Sequence, residues 1–309
     1  MRIRVLGSAA GGGFPQWNCD CPCCRAVRDG SRPARPRTQS SVAVSGDGER
    51  WILLNVSPDV HRQIEAFPAL HPRPGRTPPV TAVLLTDAEL DHTLGLLLLR
   101  ESRGLRVHGT EATRAVLKNG SGILRTLQAY CPVDWHPVVP GVDTQLTGGL
   151  SCRAFDVPTR KRPRFPVPGA RASGERASGE EATGRVVGYR ITDQRTGRAL
   201  VFLPSAQELT APVIGEIAGC SCLLADGTCW SDDELSALGL AGKTSRDMGH
   251  VPISGEGGSL VRLAPLHVYR KIYTHLNNTN PVLLEDSPER RAVADCGVEI
   301  AADGMEIEI

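Results

Sequence analysis

The chain has 309 residues, with 35 Lys+Arg against 34 Asp+Glu, a formal net charge of +1, and 10 cysteines. So even a balance gives no bulk attraction to nucleic acid or to an anionic membrane surface, and no apolar run reaches the roughly 18–20 residues that span a bilayer. The N-terminal apolar patch is too short for a signal-peptide core. The cytoplasm is therefore the expected compartment, where cysteines read as free thiols or metal ligands rather than disulfides.

Residues 2–6 alternate as a short strand and lead into a glycine-rich loop, 7–13, which lacks the GxxxxGK[ST] spacing of a phosphate cradle. Cys19, Cys21, Cys23 and Cys24 crowd the loop 18–24. Residues 40–46 and 51–56 form a hairpin, and Ser57-Pro58-Asp59 opens a helix. After a Pro/Arg-rich loop, 71–79, the apolar run 81–85 predicts a buried strand and the leucine-rich 94–99 a buried helix. Further strands are expected at 105–109 and, as a pair, within 144–155, with a helix at 111–119 between them. Residues 159–185 shift to Pro, Gly and Arg with a tandem RASGERASGE, and read as an exposed, poorly ordered insertion. A hairpin follows (186–192 with 198–203), then a strand, 222–225, ending at Asp226. A helix at 258–263 and a strand at 271–274 ending at His275 come next, and 298–300 with 305–309 suggest a final hairpin around Asp303-Gly304. The two halves share a pattern of strands followed by βα alternation. That pattern predicts one domain, 1–309, of two packed sheets with helices outside.

Two clusters carry chemistry. Cys19-x-Cys21-x-x-Cys24 places three soft ligands in a tight loop, as a tetrahedral structural zinc requires; the fourth ligand is Cys23 or a distant residue that pins the loop to the core. A redox dithiol is the weaker alternative, because no thioredoxin-like βαβ unit surrounds the CxxC spacing. The other six cysteines read as core. Between the strand at 81–85 and the following helix stand Asp87, Glu89, Asp91 and His92. An acidic turn capping a helix would look similar. Distant partners decide between the readings: Asp226 and His275 close strands, and His250 sits in a Gly-rich turn, where ligands of α/β sheets gather. Asp91, His92 and His275 would supply one carboxylate and two imidazoles. That set suits a non-haem Fe(II) centre and would serve equally a metal site that activates water. Asn277, Asn278 or Asn280 could orient ligands or reach the cysteine loop, whereas His61, His71, His108, His136 and His267 fall in polar loops or helices and receive no role.

Residues 86–92, TDAELDH, resemble the metallo-β-lactamase motif THxHxDH, with Asp87 and Glu89 where the first two histidines stand. GSAAGGGFPQWNCDCPCC, LLNVSPDVHRQI, ADGTCWSDDEL, DMGHVPISG, YTHLNNTNP and DGMEIEI extend the likeness along nearly the whole chain except 159–185. Together they closely resemble the coenzyme PQQ synthesis protein B family. The resemblance implies an α/β fold, the αββα sandwich, with the site at the edge of the two sheets. In a related phosphonate-pathway phosphodiesterase, a His three residues after the last active-site His completes the zinc of a CxCxxC loop. The matching residue here is Asn278, so the fourth zinc ligand falls to Asn278 or Cys23. The general-acid His of that enzyme matches His250, its bridging Asp falls near Ser205, and its mid-chain metal His falls near Lys161.

So many replaced ligands imply a single metal, held by Asp91, His92 and His275, and argue against β-lactam hydrolysis. Glu89 or Asp226 would complete or support the shell, and His250 would handle protons. The activity implied is iron-dependent hydroxylation of the tyrosine ring of a Glu–Tyr-derived precursor of pyrroloquinoline quinone. Fe(II) and structural zinc are the cofactors, and the small peptide and dioxygen are the partners. No nucleic acid or membrane is expected, and a homodimer is compatible with this reading. The alternatives are a metal-dependent hydrolase of a pathway intermediate, or a soluble carrier that takes part in moving the quinone or its precursor to the periplasm.

Overall fold

The computed structural model describes residues 1–165 and 183–309, so most of the expected insertion at 159–185 lies outside the described residues. Fourteen strands are described: β1 (Arg2–Gly7), β2 (Ser41–Ser45), β3 (Trp51–Leu54), β4 (Val80–Leu84), β5 (Leu105–Gly109), β6 (Val133–Pro137), β7 (Asp143–Gln145), β8 (Leu150–Asp156), β9 (Val187–Asp193), β10 (Ala199–Leu203), β11 (Cys222–Asp226), β12 (Arg270–Thr274), β13 (Glu299–Ile300) and β14 (Glu306–Glu308). They form two mixed sheets of seven, ordered β14-β1-β2-β3-β4-β5-β6 and β13-β12-β11-β10-β9-β8-β7.

The continuous apolar runs follow from burial on both faces. In β3, Ile52 and Leu54 point between the sheets, where they join Val42, Leu84, Phe202, Leu224 and Ile272. Trp51 and Leu53 point the other way, into the outer apolar layer, where Trp51 meets Phe67 edge to face at 5.0 Å. In β10, Leu200 and Phe202 face the inter-sheet core, whereas Val201 and Leu203 meet helices Ala211–Ile217 and Ser259–Leu263. Period-2 alternation thus survives as a choice between two apolar layers, which gives the αββα sandwich.

Four expectations are corrected. The tail is not a hairpin: β13 joins β12 in the second sheet, and β14 joins β1 in the first. The crossing turn holds Asp303, whose carboxylate accepts from Ser8 N and Oγ (2.9 and 2.8 Å) and from Thr38 N and Oγ1 (2.6 and 2.8 Å). Residues 94–99 form a 3₁₀ segment with Leu96 buried and Leu98 43% exposed. A run of leucines carries no periodicity to tell its faces apart. Neither His108 nor His136 lies in a loop or helix: they sit on β5 and β6, where the buried His108 ring stacks on His136 at 4.9 Å. Cys296 is exposed, so only five of the six scattered cysteines are core.

Because four hydrogen bonds tie Asp303 in the crossing turn to Ser8 and Thr38 beside β1 and β2, Asp303→Ala should cost about 2–3 kcal/mol. The expected result is a lower denaturant midpoint with an unchanged slope; an unchanged midpoint would contradict the clasp.

Candidate metal centre

Asp91, His92 and His275 converge, each offering a ligand atom within 4.8 Å of the others. The 85–92 turn is fixed from both sheets. Tyr189 Oη donates to Leu85 O and Val187 N to Thr86 O, each at 2.9 Å, so strand β9 satisfies the buried carbonyls just past β4. Asn55 holds Thr86, with its Oδ1 accepting from the backbone N (3.0 Å) and its Nδ2 donating to Oγ1 (2.9 Å). Thr86 Oγ1 in turn donates to Asp87 at 2.9 Å. Gly95 brings this segment against Ser57, where a Cβ would meet a carbonyl oxygen at 2.1 Å.

Asp87 stands behind the site. Both its oxygens lie 2.9 Å from His92 Nδ1, and Oδ1 also accepts from Glu89 N at 2.9 Å. His92 Nδ1 is thereby a donor, and its Nε2 is buried without a hydrogen-bond partner among the described residues, 3.9 Å from Asp91 Oδ2. Burial pulls His92 down, but Asp87 and Asp91 outweigh it and raise the imidazole to about 9. Burial likewise pushes the Asp91 carboxyl up, yet His92 and His275 hold it well below the usual carboxylate range.

His275 ends β12 in the left-handed region, φ 57°, a conformation that costs a non-glycine residue about 1–3 kcal/mol and that clusters at functional sites. Its Nε2 lies 3.1 Å from Asp91 Oδ2 and its Nδ1 lies 2.8 Å from Thr228 Oγ1. The Thr228 hydroxyl donates to Asp226 Oδ1 at 2.7 Å, so its oxygen accepts from His275 Nδ1–H. His275 Nε2 then faces a carboxylate with a lone pair of its own, an arrangement that a cation between them satisfies. Mainly through burial, His275 lies below its ordinary value.

Asp226, His250 and His275 form a second convergent group. Four hydrogen bonds saturate the Asp226 carboxylate: Ala206 N (2.8 Å) and His250 Nδ1 (2.7 Å) on one oxygen, Thr228 N (3.0 Å) and Oγ1 (2.7 Å) on the other. Asp226 therefore supports rather than ligates. It holds His250 with Nε2 available, in a ring stacked on His275 at 5.1 Å. Glu89 is also committed elsewhere, to Lys161 at 2.9 Å and Arg164 at 3.2 Å. The donor set that remains is Asp91, His92 and His275, and the orphaned Nε2 of His92 shows that these residues fit a metal.

The thiols of Cys19, Cys21 and Cys24 also lie within 4.8 Å of one another. Cys21 caps helix Pro22–Asp29, its sulfur accepting from Cys24 N at 3.4 Å. The Cys23 thiol contacts Cys21 and also lies near the carbonyls of Thr279 and Asn280 (3.6 and 3.7 Å). Asn278 reaches the group, with its side-chain amide 3.3 Å from Cys24 Sγ and 3.8 Å from Cys21 Sγ. Of the two candidates for the fourth position, Asn278 has a side chain that reaches two of the three sulfurs, those of Cys21 and Cys24. The same turn thus follows an active-site ligand, His275, and closes the thiol loop.

Thr228, Asp87's role behind His92, and Lys161 were missed or left unassigned by sequence reasoning. Thr228 had a local signal, lying two residues past a strand-ending Asp in ADGT. The Gly7–Gly13 loop, set aside as no phosphate cradle, packs here: a Cβ on Gly11 would meet Asp91 at 3.4 Å, and Ala10 lines the cavity at the site.

A two-sheet sandwich with this site defines the class. Residues 50–276 match the model of the beta-lactamase superfamily domain, and the chain belongs to that superfamily. Over 317 residues it is 43% identical to coenzyme PQQ synthesis protein B of Methylococcus capsulatus, covering 99% of both chains. It is 44% identical to the protein of that name from Methylobacterium nodulans, covering 100% of both. A crystal structure of zinc-bound PqqB from Methylobacterium extorquens superposes with a TM-score of 0.89 at 39% identity, covering 100% of both chains. Within the superfamily, the chain therefore belongs to the coenzyme PQQ synthesis protein B family. A diphosphatase of the PhnP family, 20% identical with a TM-score of 0.68 and 97% of its chain covered, shares the fold.

Thr228→Val keeps the shape of the side chain and removes the hydroxyl behind His275. Loss of such an outer partner should weaken active-site metal binding about 10–100-fold, as read by competition with a chelator, while Thr228→Ser stays near wild type. Wild-type affinity in the valine variant would contradict the assigned role.

Proposed function

We propose that the chain acts in the synthesis of pyrroloquinoline quinone as an iron-dependent hydroxylase of the tyrosine ring in a Glu–Tyr-derived precursor. The observation that carries this reading is the isolated Asp91–His92–His275 set, one carboxylate and two imidazoles, the donor pattern of non-haem Fe(II) sites with open positions. The names of its relatives support the pathway. Asp87 and Asp226 are tied up in hydrogen bonds, which leaves one ligand set and disfavours a two-metal hydrolase.

Fe(II), held by Asp91, His92 and His275, would supply the activation of dioxygen. The protein's part is placement and proton handling. A cavity of about 730 Å³ opens on Asp91, His250 and His275 and suits a small molecule. His250 Nε2, its ring oriented by Asp226, is positioned to accept the phenol proton and so enrich the ring in electron density. One oxygen atom enters the ring and the other leaves as water, with two electrons from an external reductant.

Loading the protein anaerobically with Fe(II), then adding Glu–Tyr dipeptide, reductant and air, should give the ring-hydroxylated dipeptide by mass spectrometry. His92→Ala should abolish it, and His250→Ala should slow it about 10²–10⁴-fold. No product under iron, or wild-type yield from His92→Ala, would overturn the reading.

A further inference from the structure

Residues 158–164 border the cavity, and within them Lys161 is held in place from several sides. Its Nζ lies 2.9 Å from Glu89 Oε1, while Arg164 Nε lies 3.2 Å from the other oxygen of the same carboxylate. Its stem lies on Gly249, where φ is 96° and a Cβ would meet Lys161 Cδ at 3.1 Å. Its carbonyl accepts from Arg185 at 2.6 Å. Gln207 ties the segment to the opposite wall, its side-chain oxygen accepting from Arg160 N and its nitrogen donating to Arg246 O at 2.7 Å. One ammonium thus stands between Glu89, two residues before Asp91, and Gly249, the neighbour of His250. It remains 23% exposed, on the cavity side.

Charge in the cavity is unequal. Arg160, Lys161, Arg162, Arg164, Lys243 and Arg246 line it against four carboxylates, of which Asp91 faces the imidazoles and Glu89 its two cations, while Glu208 and Asp247 form no ion pair among the described residues. A fixed cation beside a desolvated ligand group gives specificity more than bulk affinity. The geometry points to Lys161, assisted by Arg164, as a carboxylate subsite: its ammonium exchanges the Glu89 oxygen for a carboxylate of a small organic anion, holding that ligand against the Asp91–His92–His275 set. The inference rests on the proposed hydroxylase reading only for the choice of ligand. Glu89, placed by sequence among the residues that complete the metal shell, is then the internal competitor for the subsite.

The test is calorimetric binding to the full-length protein under nitrogen, where nothing turns over. Glu–Tyr is compared with Gln–Tyr amide, which lacks both carboxylates. The wild type should prefer the acid by about tenfold or more. Lys161→Met should bring the ratio close to unity, Lys161→Arg should keep it, and Glu89→Gln should tighten the acid by releasing the ammonium. Succinate should displace the dipeptide better than inorganic phosphate does. A wild-type ratio in Lys161→Met overturns the subsite, as does loss of the ratio in both Lys161 variants while they melt like wild type. Stronger displacement by phosphate overturns its carboxylate class. A failed binding ratio leaves the hydroxylation reading standing, and failed hydroxylation leaves the binding ratio readable.

Discussion

The structure depends on a constraint imposed from behind the ligands: each imidazole of the metal set has its Nδ1 occupied by a buried partner. His92 is held by Asp87 and His275 by Thr228, which itself rests on Asp226. An imidazole that gives up its Nε2 proton to a metal keeps one donor nitrogen, so fixing Nδ1 as that donor leaves Nε2 as the ligand atom. The chains of contact run into the core of both sheets. From His92 the line passes through Asp87 and Thr86 to Asn55 at the end of β3; from His275 it passes through Thr228 and Asp226 to the end of β11.

This arrangement gives the replaced motif residues a physical meaning. In TDAELDH, Asp87 points back at His92 and serves as its orienting carboxylate. Glu89 points outward and pairs with Lys161 and Arg164. The carboxylate–imidazole contact is the outer-shell device that fixes ligand orientation and raises basicity at metal sites. The same economy joins the two metal-binding regions. The turn after His275 lies against the thiol loop through Asn278, and Leu276 pairs with Ser8 and Ala10 of the N-terminal loop, so both loops pack on the residues that follow His275.

Much of the fold was legible because both faces of most strands are buried. Runs such as WILL and CLLAD state strand and burial at once, and the recurrence of Asp or His at strand ends marked where the sheets open. What was not legible depended on partners far apart in sequence. Nothing local in DGMEIEI tells that Asp303 binds Ser8 and Thr38, so a Asp-Gly turn looked like a hairpin while the tail crosses between sheets. Asp91, His92 and His275 could be grouped by chemistry, but the division of labour between Asp91 and Asp226 could not. Both are carboxylates beside histidines, and only the four donors around Asp226 separate a supporting group from a ligand. Lys161 lies within the composition shift at 159–185 that reads as solvent-exposed chain, which hid its contact with Glu89.

The central claim is a single active-site metal set beside a separate thiol site. Elemental analysis of protein purified without added metal, for wild type and for His92→Ala, tests it most directly. The account predicts one zinc that survives the substitution and a second metal, iron, that is lost with His92. Two metals retained in His92→Ala, or three per wild-type chain, would contradict it.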